Sequence, residues 1–151
     1  MHAQVVMVAR HFKELVCWQW ADQLRRDAFV FTARPRWQAD RKLREQAEDA
    51  LGSVCRNIAE GFGCESHDEF ARFLEISRRS LNEVQDCSRH AMVKGYLTEV
   101  EGAPLFALMR RLYPALNRLW TYLKSTPSPR VTDRRRRSST DKRQRQHHEH
   151  R

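Results

Sequence analysis

Apolar residues recur at Cys17, Ala21, Leu24, Ala28 and Phe31, in steps of three and four that place them on one stripe of a helix. Leu15, Trp18 and Phe29 widen the stripe. The pattern stops at Ala33-Arg34-Pro35, because proline lacks an N–H donor and steers the residue before it away from helical angles. A second stripe, Leu43, Ala47, Ala50, Leu51, Val54 and Ile58, repeats the period and runs to Gly61 and Gly63. Both glycines tolerate the left-handed angles common at a helix C-terminus.

The third helix has the clearest start. Ser66 followed by Glu69 matches a capping box, in which each side chain satisfies a free backbone N–H of the first turn. Phe70, Phe73, Leu74, Ser77, Leu81, Val84, Ser88 and Ala91 form its inner face, and Gly95 offers a stop. His67 to Lys94 is ~28 residues, or ~40 Å at the rise of an α-helix. Pro104 suits the first turn of a fourth helix carrying Leu105, Leu108, Leu112, Leu116, Leu119 and Leu123. Pro114 inside that run predicts a kink or a break. No segment sustains the alternation of a strand. The fold class is therefore all-α, and four amphipathic helices with short connections have one economical arrangement, an antiparallel up-down four-helix bundle.

Composition divides the chain into an N-terminal extension (1–11), the bundle (12–124) and a tail (125–151) of Ser, Thr, Pro, Arg and His without apolar period, expected to be disordered alone. The 151 residues suit one domain. Their formal charge of +9 raises the prior for a polyanion partner. The charge is unevenly held: residues 130–151 contain nine basic and three acidic side chains, a net +6, leaving +3 on residues 1–129. No apolar run is long enough to span a bilayer, and the N-terminus lacks the pattern of a secretory signal, so the chain reads as cytoplasmic with no membrane partner. Cys17, Cys55, Cys64 and Cys87 form no C-x-x-C pair and read as reduced.

The string Asn57-Ile58-Ala59-Glu60-Gly61-Phe62-Gly63, then Ser66, Phe70, Phe73-Leu74, Ser80-Leu81, Glu83 and Gly95-Tyr96-Leu97, resembles a four-helix bundle family encoded in intervening sequences of large-subunit ribosomal RNA genes. Phe12, Leu15, Trp18-Gln19, Ala21 and Leu24 match that family's opening, and Leu43, Gln46 and Ser53 its second helix. The resemblance spans roughly residues 12–123. It implies a helical bundle that assembles as a homopentameric ring, and a distant relationship to the accessory variability determinant of diversity-generating retroelements, which binds nucleic acid and a reverse transcriptase. It marks Asn57, Ala59, Glu60, Gly61, Gly63, Ser66, Gly95 and Tyr96 as structural motif positions. Two positions depart from it: Cys55 stands where a proline is usual, and Arg79 where a glycine is.

Catalytic chemistry finds little support. Glu60, in the last turn of a helix, faces the negative end of the macrodipole, which disfavours it by ~0.3–1 kcal/mol. It reads either as a functional acid or as a structural acceptor that, with Asn57, pins the connection to the third helix. No motif ties His11, His67 or His90 to a nucleophile. His147, His148 and His150 have no second cluster to complete a metal site, and Gly61-x-Gly63 lacks the strand of a phosphate loop. No metal or cofactor is expected. Trp18, Trp20, Trp37 and Trp120 read as core or subunit-interface residues; Trp18 and Trp20 cannot share one helix face. Glu75 and Arg79 are spaced as a favourable ion pair.

The expected function is a non-enzymatic oligomeric bundle that binds RNA or DNA through phosphate contacts with little sequence specificity. Arg34, Arg36, Arg41, Lys42 and Arg44 around the first connection would make those contacts with Arg134, Arg135, Arg136, Arg137, Lys142, Arg143 and Arg145 of the tail. The alternative is a protein-interaction scaffold or accessory subunit, for example for a reverse transcriptase.

Overall fold

The computed structural model describes residues 9–129; residues 1–8 of the expected extension (1–11) and residues 130–151 of the expected tail (125–151) lie outside the described residues. A 3-10 turn, Phe12–Glu14, leads into α1 (Val16–Thr32). There follow a short α2 (Pro35–Ala39) and three long helices: α3 (Arg41–Phe62), α4 (His67–Val93) and α5 (Glu99–Ser125). No strand occurs among the described residues. No described helix is long and apolar enough to cross a membrane.

The four long helices enclose one core. Leu24 of α1, Ile58 of α3, Leu74 and Leu81 of α4, and Leu112 and Leu116 of α5 are all 1% exposed or less. The expected stripes are the buried faces, apart from a half-buried edge of Phe31, Phe73 and Leu108. Phe29 instead stays 43% exposed, because it sits on the outer flank of α1 beyond the core stripe. Trp18 and Trp20 are both half-buried at the core's edge, with Trp18 meeting the ring of Phe12 edge-on at 5.1 Å.

α3 and α4 run antiparallel in close contact. Ser53 and Ser80 hydroxyls meet at 2.8 Å, the Ser77 hydroxyl donates to the Val54 carbonyl at 2.7 Å, and Gly61 lies against Phe70. α5 returns antiparallel along α4 through Trp120–Glu75, Asn117–Arg78 and Tyr113–Asn82. α1 packs on α3 and α5.

The helix ends correct several expectations. α3 stops at Gly63 with right-handed angles (φ −78°), so neither Gly61 nor Gly63 supplies a left-handed cap. The positive φ falls on Gly95 (φ +73°), which turns the chain between α4 and α5. The fifth helix begins at Glu99, upstream of Pro104, because Thr98 and Glu101 form a complete capping box. At Ser66 only half of such a box forms: its hydroxyl accepts from the Glu69 N–H at 3.1 Å. Pro114 does not break α5. Pro104 and Pro114 lack the N–H that would bond the carbonyls of Val100 and Arg110, and all four residues are exposed.

Candidate nucleic-acid interface

Of the five cations around the first connection, most are held by the fold itself. Arg34 forms an ion pair with Glu101 and stacks 4.7 Å above the Phe31 ring. Arg36 donates to the Gly95 carbonyl at 3.1 Å and the Lys94 carbonyl at 3.3 Å, and lies 5.1 Å above the Tyr96 ring. A cation is favourable at that negative C-terminal end of α4. Arg41 pairs with Glu45 at 2.8 Å. Arg44 donates to Gln38 at 2.5 Å while its Nε–H is buried without a partner. Lys42 is exposed and makes no hydrogen bond or ion pair among the described residues.

Two sets of residues singled out separately in the sequence thus converge. Arg36 meets Gly95 and Tyr96, and Arg34 meets Glu101, in a junction that fastens the α1–α3 connection to the α4–α5 turn and the start of α5. Asp40 is its hub: one carboxylate oxygen caps α3 by accepting from Leu43 N–H at 3.2 Å, and the other accepts from Lys94 at 2.5 Å and the Tyr96 hydroxyl at 3.1 Å. Trp37 is buried beneath, its indole N–H donating to the Tyr96 carbonyl at 3.3 Å. Proline at the first position of α2 starts the single turn that carries Trp37 inward, a signal present in the sequence as Pro35 but read there only as a stop.

The junction is acid-sensitive. The hydrogen bond from Arg34, with those from Thr98, draws the Glu101 carboxyl down from 4.5 to about 2. Lys94, then the Leu43 N–H, lowers Asp40 likewise. Both groups have folded values below their unfolded ones, so their stabilisation is complete above the ordinary carboxylate range and is lost as pH falls through the folded values. The urea midpoint should hold level from neutrality to about pH 5 and fall between about pH 4.5 and 2. Glu101→Gln should flatten part of that fall, and a midpoint unchanged down to pH 2.5 would contradict the assignment.

The Asn57–Glu60 pair does not act as a pin. Glu60 is exposed and its carboxylate has no partner among the described residues; solvent screens it from the helix dipole. Asn57 is buried and donates to the Ser53 carbonyl at 2.8 Å and hydroxyl at 2.9 Å, joining the Ser53–Ser80 contact between α3 and α4. Asn57→Ala should therefore cost about 1–2 kcal/mol in urea unfolding, whereas Glu60→Gln should change it by less than about 0.5 kcal/mol. Ser66 is a helix cap, Ala59 is half-buried, and Gly61 and Gly63 end α3. Glu75 does not pair with Arg79: it accepts from the half-buried indole N–H of Trp120 at 3.1 Å. That donor needs an acceptor, while an exposed ion pair adds little.

At the opposite end, residues the composition assigns to the tail are fastened to the fold. The His67 backbone N–H donates to Ser128 Oγ at 2.9 Å, and its ring Nδ1 lies 2.8 Å from the Thr126 carbonyl. Lys124 pairs with Asp68 at 2.9 Å. Nothing in the local sequence signals this clasp, since its partners lie some sixty residues apart. Arg134, Arg135, Arg136, Arg137, Lys142, Arg143 and Arg145 follow it and lie outside the described residues. Among the described residues no group of His, Cys, Asp and Glu is placed to hold a metal.

Residues 13–118 match the model of a family described as 23S rRNA-intervening sequence protein. No curated protein matches the chain.

Proposed function

The chain belongs to the 23S rRNA-intervening sequence protein family, and from that premise we propose that it is a non-enzymatic bundle of up-down topology, assembled as a homopentameric ring, that binds nucleic acid through phosphate contacts with little sequence readout. The observation that carries this reading is the concentration of cations around the start of α3. Arg36, Arg41, Lys42, Arg44 and Lys94 gather there, and the first turn of α3 contains no acidic residue. α4 and α5, by contrast, open with Asp68 and Glu69 and with Glu99 and Glu101. Arg41, Lys42 and Arg44 at the positive end of α3 are unfavourable to its dipole, a cost that Asp40 and Glu45 offset in part. A phosphate beside Arg41 and Lys42 would be attracted by these side chains, while the helix end itself is already capped by Asp40. The tail adds a net +6, and repetition around a ring would multiply weak contacts through effective concentration.

The reading is tested by comparing the full chain with one ending at Pro129, which keeps the His67 clasp, for binding to RNA and DNA at low salt. Weaker binding by the shorter chain would assign the larger share to the tail. No binding by the full chain would overturn the proposal and leave the scaffold reading, with a protein such as a reverse transcriptase as partner. Light scattering tests the ring: a clean monomer at micromolar concentration contradicts it.

A further inference from the structure

Charges of both signs are mixed along α1, α3 and α4, whereas α5 beyond its first turn carries one sign alone. Residues 102–125 contain Arg110, Arg111, Arg118 and Lys124 and no acidic residue, a net +4. Lys124 is paired with Asp68. Arg110, Arg111 and Arg118 are exposed and make no hydrogen bond or ion pair among the described residues. Arg111 and Arg118 are one heptad apart and nearly in line along the helix, and Arg110 stands ~100° round from Arg111. Apart from Lys124, the other exposed residues from Ala103 to Ser125 are alanine, proline, asparagine, threonine and serine, so no bulky or acidic side chain of α5 stands between the arginines. α4 adds two cations along its flank: Arg78 donates to Asn117 at 3.0 Å, and the Arg89 guanidinium lies 5.0 Å above the Phe106 ring. Between them on α4, the neutral Asn82 and Gln85 accept from the Tyr113 hydroxyl. Glu75 is engaged by Trp120, and Glu83 and Asp86 are exposed further round α4.

Resting on the nucleic-acid reading above, we propose that this outer face of α5, flanked by Arg78 and Arg89, is a phosphate-binding surface that lies along a nucleic-acid backbone. Arg110 to Arg118 span ~12 Å along the helix, the axial reach of three to four phosphates of one strand at ~3.4 Å each. The arginine fork donates two N–H groups to a phosphate, and an arginine with no partner in the fold gives up no internal contact when it does so. A second copy of the chain or another protein fits this face less well. Protein interfaces are centred on buried apolar or aromatic anchors, and the large apolar side chain that α5 exposes is Val100, in its first turn and away from the arginines.

The test uses the full chain with a DNA duplex of ~16 base pairs from ~50 mM salt upward. Two variants that lose the same charge are compared with the parent: Arg110→Ala with Arg111→Ala and Arg118→Ala, and Arg56→Ala with Arg72→Ala and Arg79→Ala. All six side chains are exposed and make no hydrogen bond or ion pair among the described residues, so circular dichroism and melting should match the parent in both. The α5 variant should bind at least about fivefold more weakly and bring the slope of log K against log salt closer to zero by about 2 or more, since each phosphate contact contributes ~0.9. The other variant should lose less than about twofold and change the slope by less than about 1. Equal losses in the two variants, or an α5 variant that binds like the parent, would overturn the site while leaving nucleic-acid binding intact. Light scattering should give the α5 variant the assembly state of the parent; a smaller assembly would make this face a contact between copies and overturn the proposal as well. No binding by the parent would instead overturn the reading on which it rests.

Discussion

Gly61→Ala is expected to destabilise the protein by about 2 kcal/mol or more, a fall of about 8 °C in melting temperature. A Cβ at this position would lie 2.4 Å from Cδ2 and 2.9 Å from Cε2 of Phe70, and 2.9 Å from Cβ of Phe73. Phe70 is 5% exposed and held edge-on by Phe62, so its ring has little room to turn away. The Cβ of Phe73 is fixed to the backbone of α4 and moves only with that helix. Alanine is otherwise the better helix former by ~1 kcal/mol. The expected loss is thus the steric cost less that gain. Gly61→Val should be worse still, with no cooperative melt at ordinary temperatures. A Gly61→Ala protein that melts within about 2 °C of the parent would show that α3 and α4 part easily at this end.

Trp37→Ala is expected to cost about 3–5 kcal/mol, a large part of the stability of a domain this size. The indole is 4% exposed and closes the core beneath the Asp40 junction. It already lines a small apolar cavity of about 20 Å³ with Leu24, Leu51, Val84, Leu105 and Met109. Truncation enlarges that cavity and leaves the Tyr96 carbonyl without its donor. Trp37→Phe should recover most of the loss and retain a deficit of about 1 kcal/mol, the net value of one hydrogen bond. Urea unfolding followed by circular dichroism separates the three proteins. A Trp37→Ala midpoint near that of the parent would mean that α2 is not part of the cooperative unit.

Helix periodicity made most of the fold legible before any coordinates. The stripes from Cys17 to Ala28, Leu43 to Ile58, Phe70 to Ala91 and Leu105 to Leu123 are buried with little exception. The cap at Ser66 was legible, although only half of the expected box forms there. Capping was misread at Pro104, because proline at the first turn is favourable but the Thr98–Glu101 box, which opens six residues earlier, is stronger. The role of Gly61 was legible as a motif and not as a mechanism. Its lack of a side chain serves the approach of Phe70, a residue on another helix, and the left-handed turn expected there occurs at Gly95 instead.

The candidate interface was legible as charge and much less as geometry. Arg34, Arg36 and Arg44 are basic in the sequence, but their partners Glu101, Gly95 and Gln38 become evident only once the connections are folded together, whereas Arg41–Glu45 is an i, i+4 pair within α3. An arginine with an intramolecular partner reads the same as one without. Lys42 emerges from that comparison as the one of the five without a partner among the described residues, and the His67 clasp emerges from contacts across some sixty residues.

The most direct measurement of nucleic-acid binding is its salt dependence, read as the slope of log K against log salt for the full chain and for the chain ending at Pro129. Each phosphate neutralised on duplex DNA contributes ~0.9 to the slope. The full chain should fall with a slope of about −4 or steeper, and the shortened chain with one shallower by about 2 or more. No binding at about 50 mM salt, or an affinity that salt leaves unchanged, would contradict phosphate recognition as the basis of this protein's function.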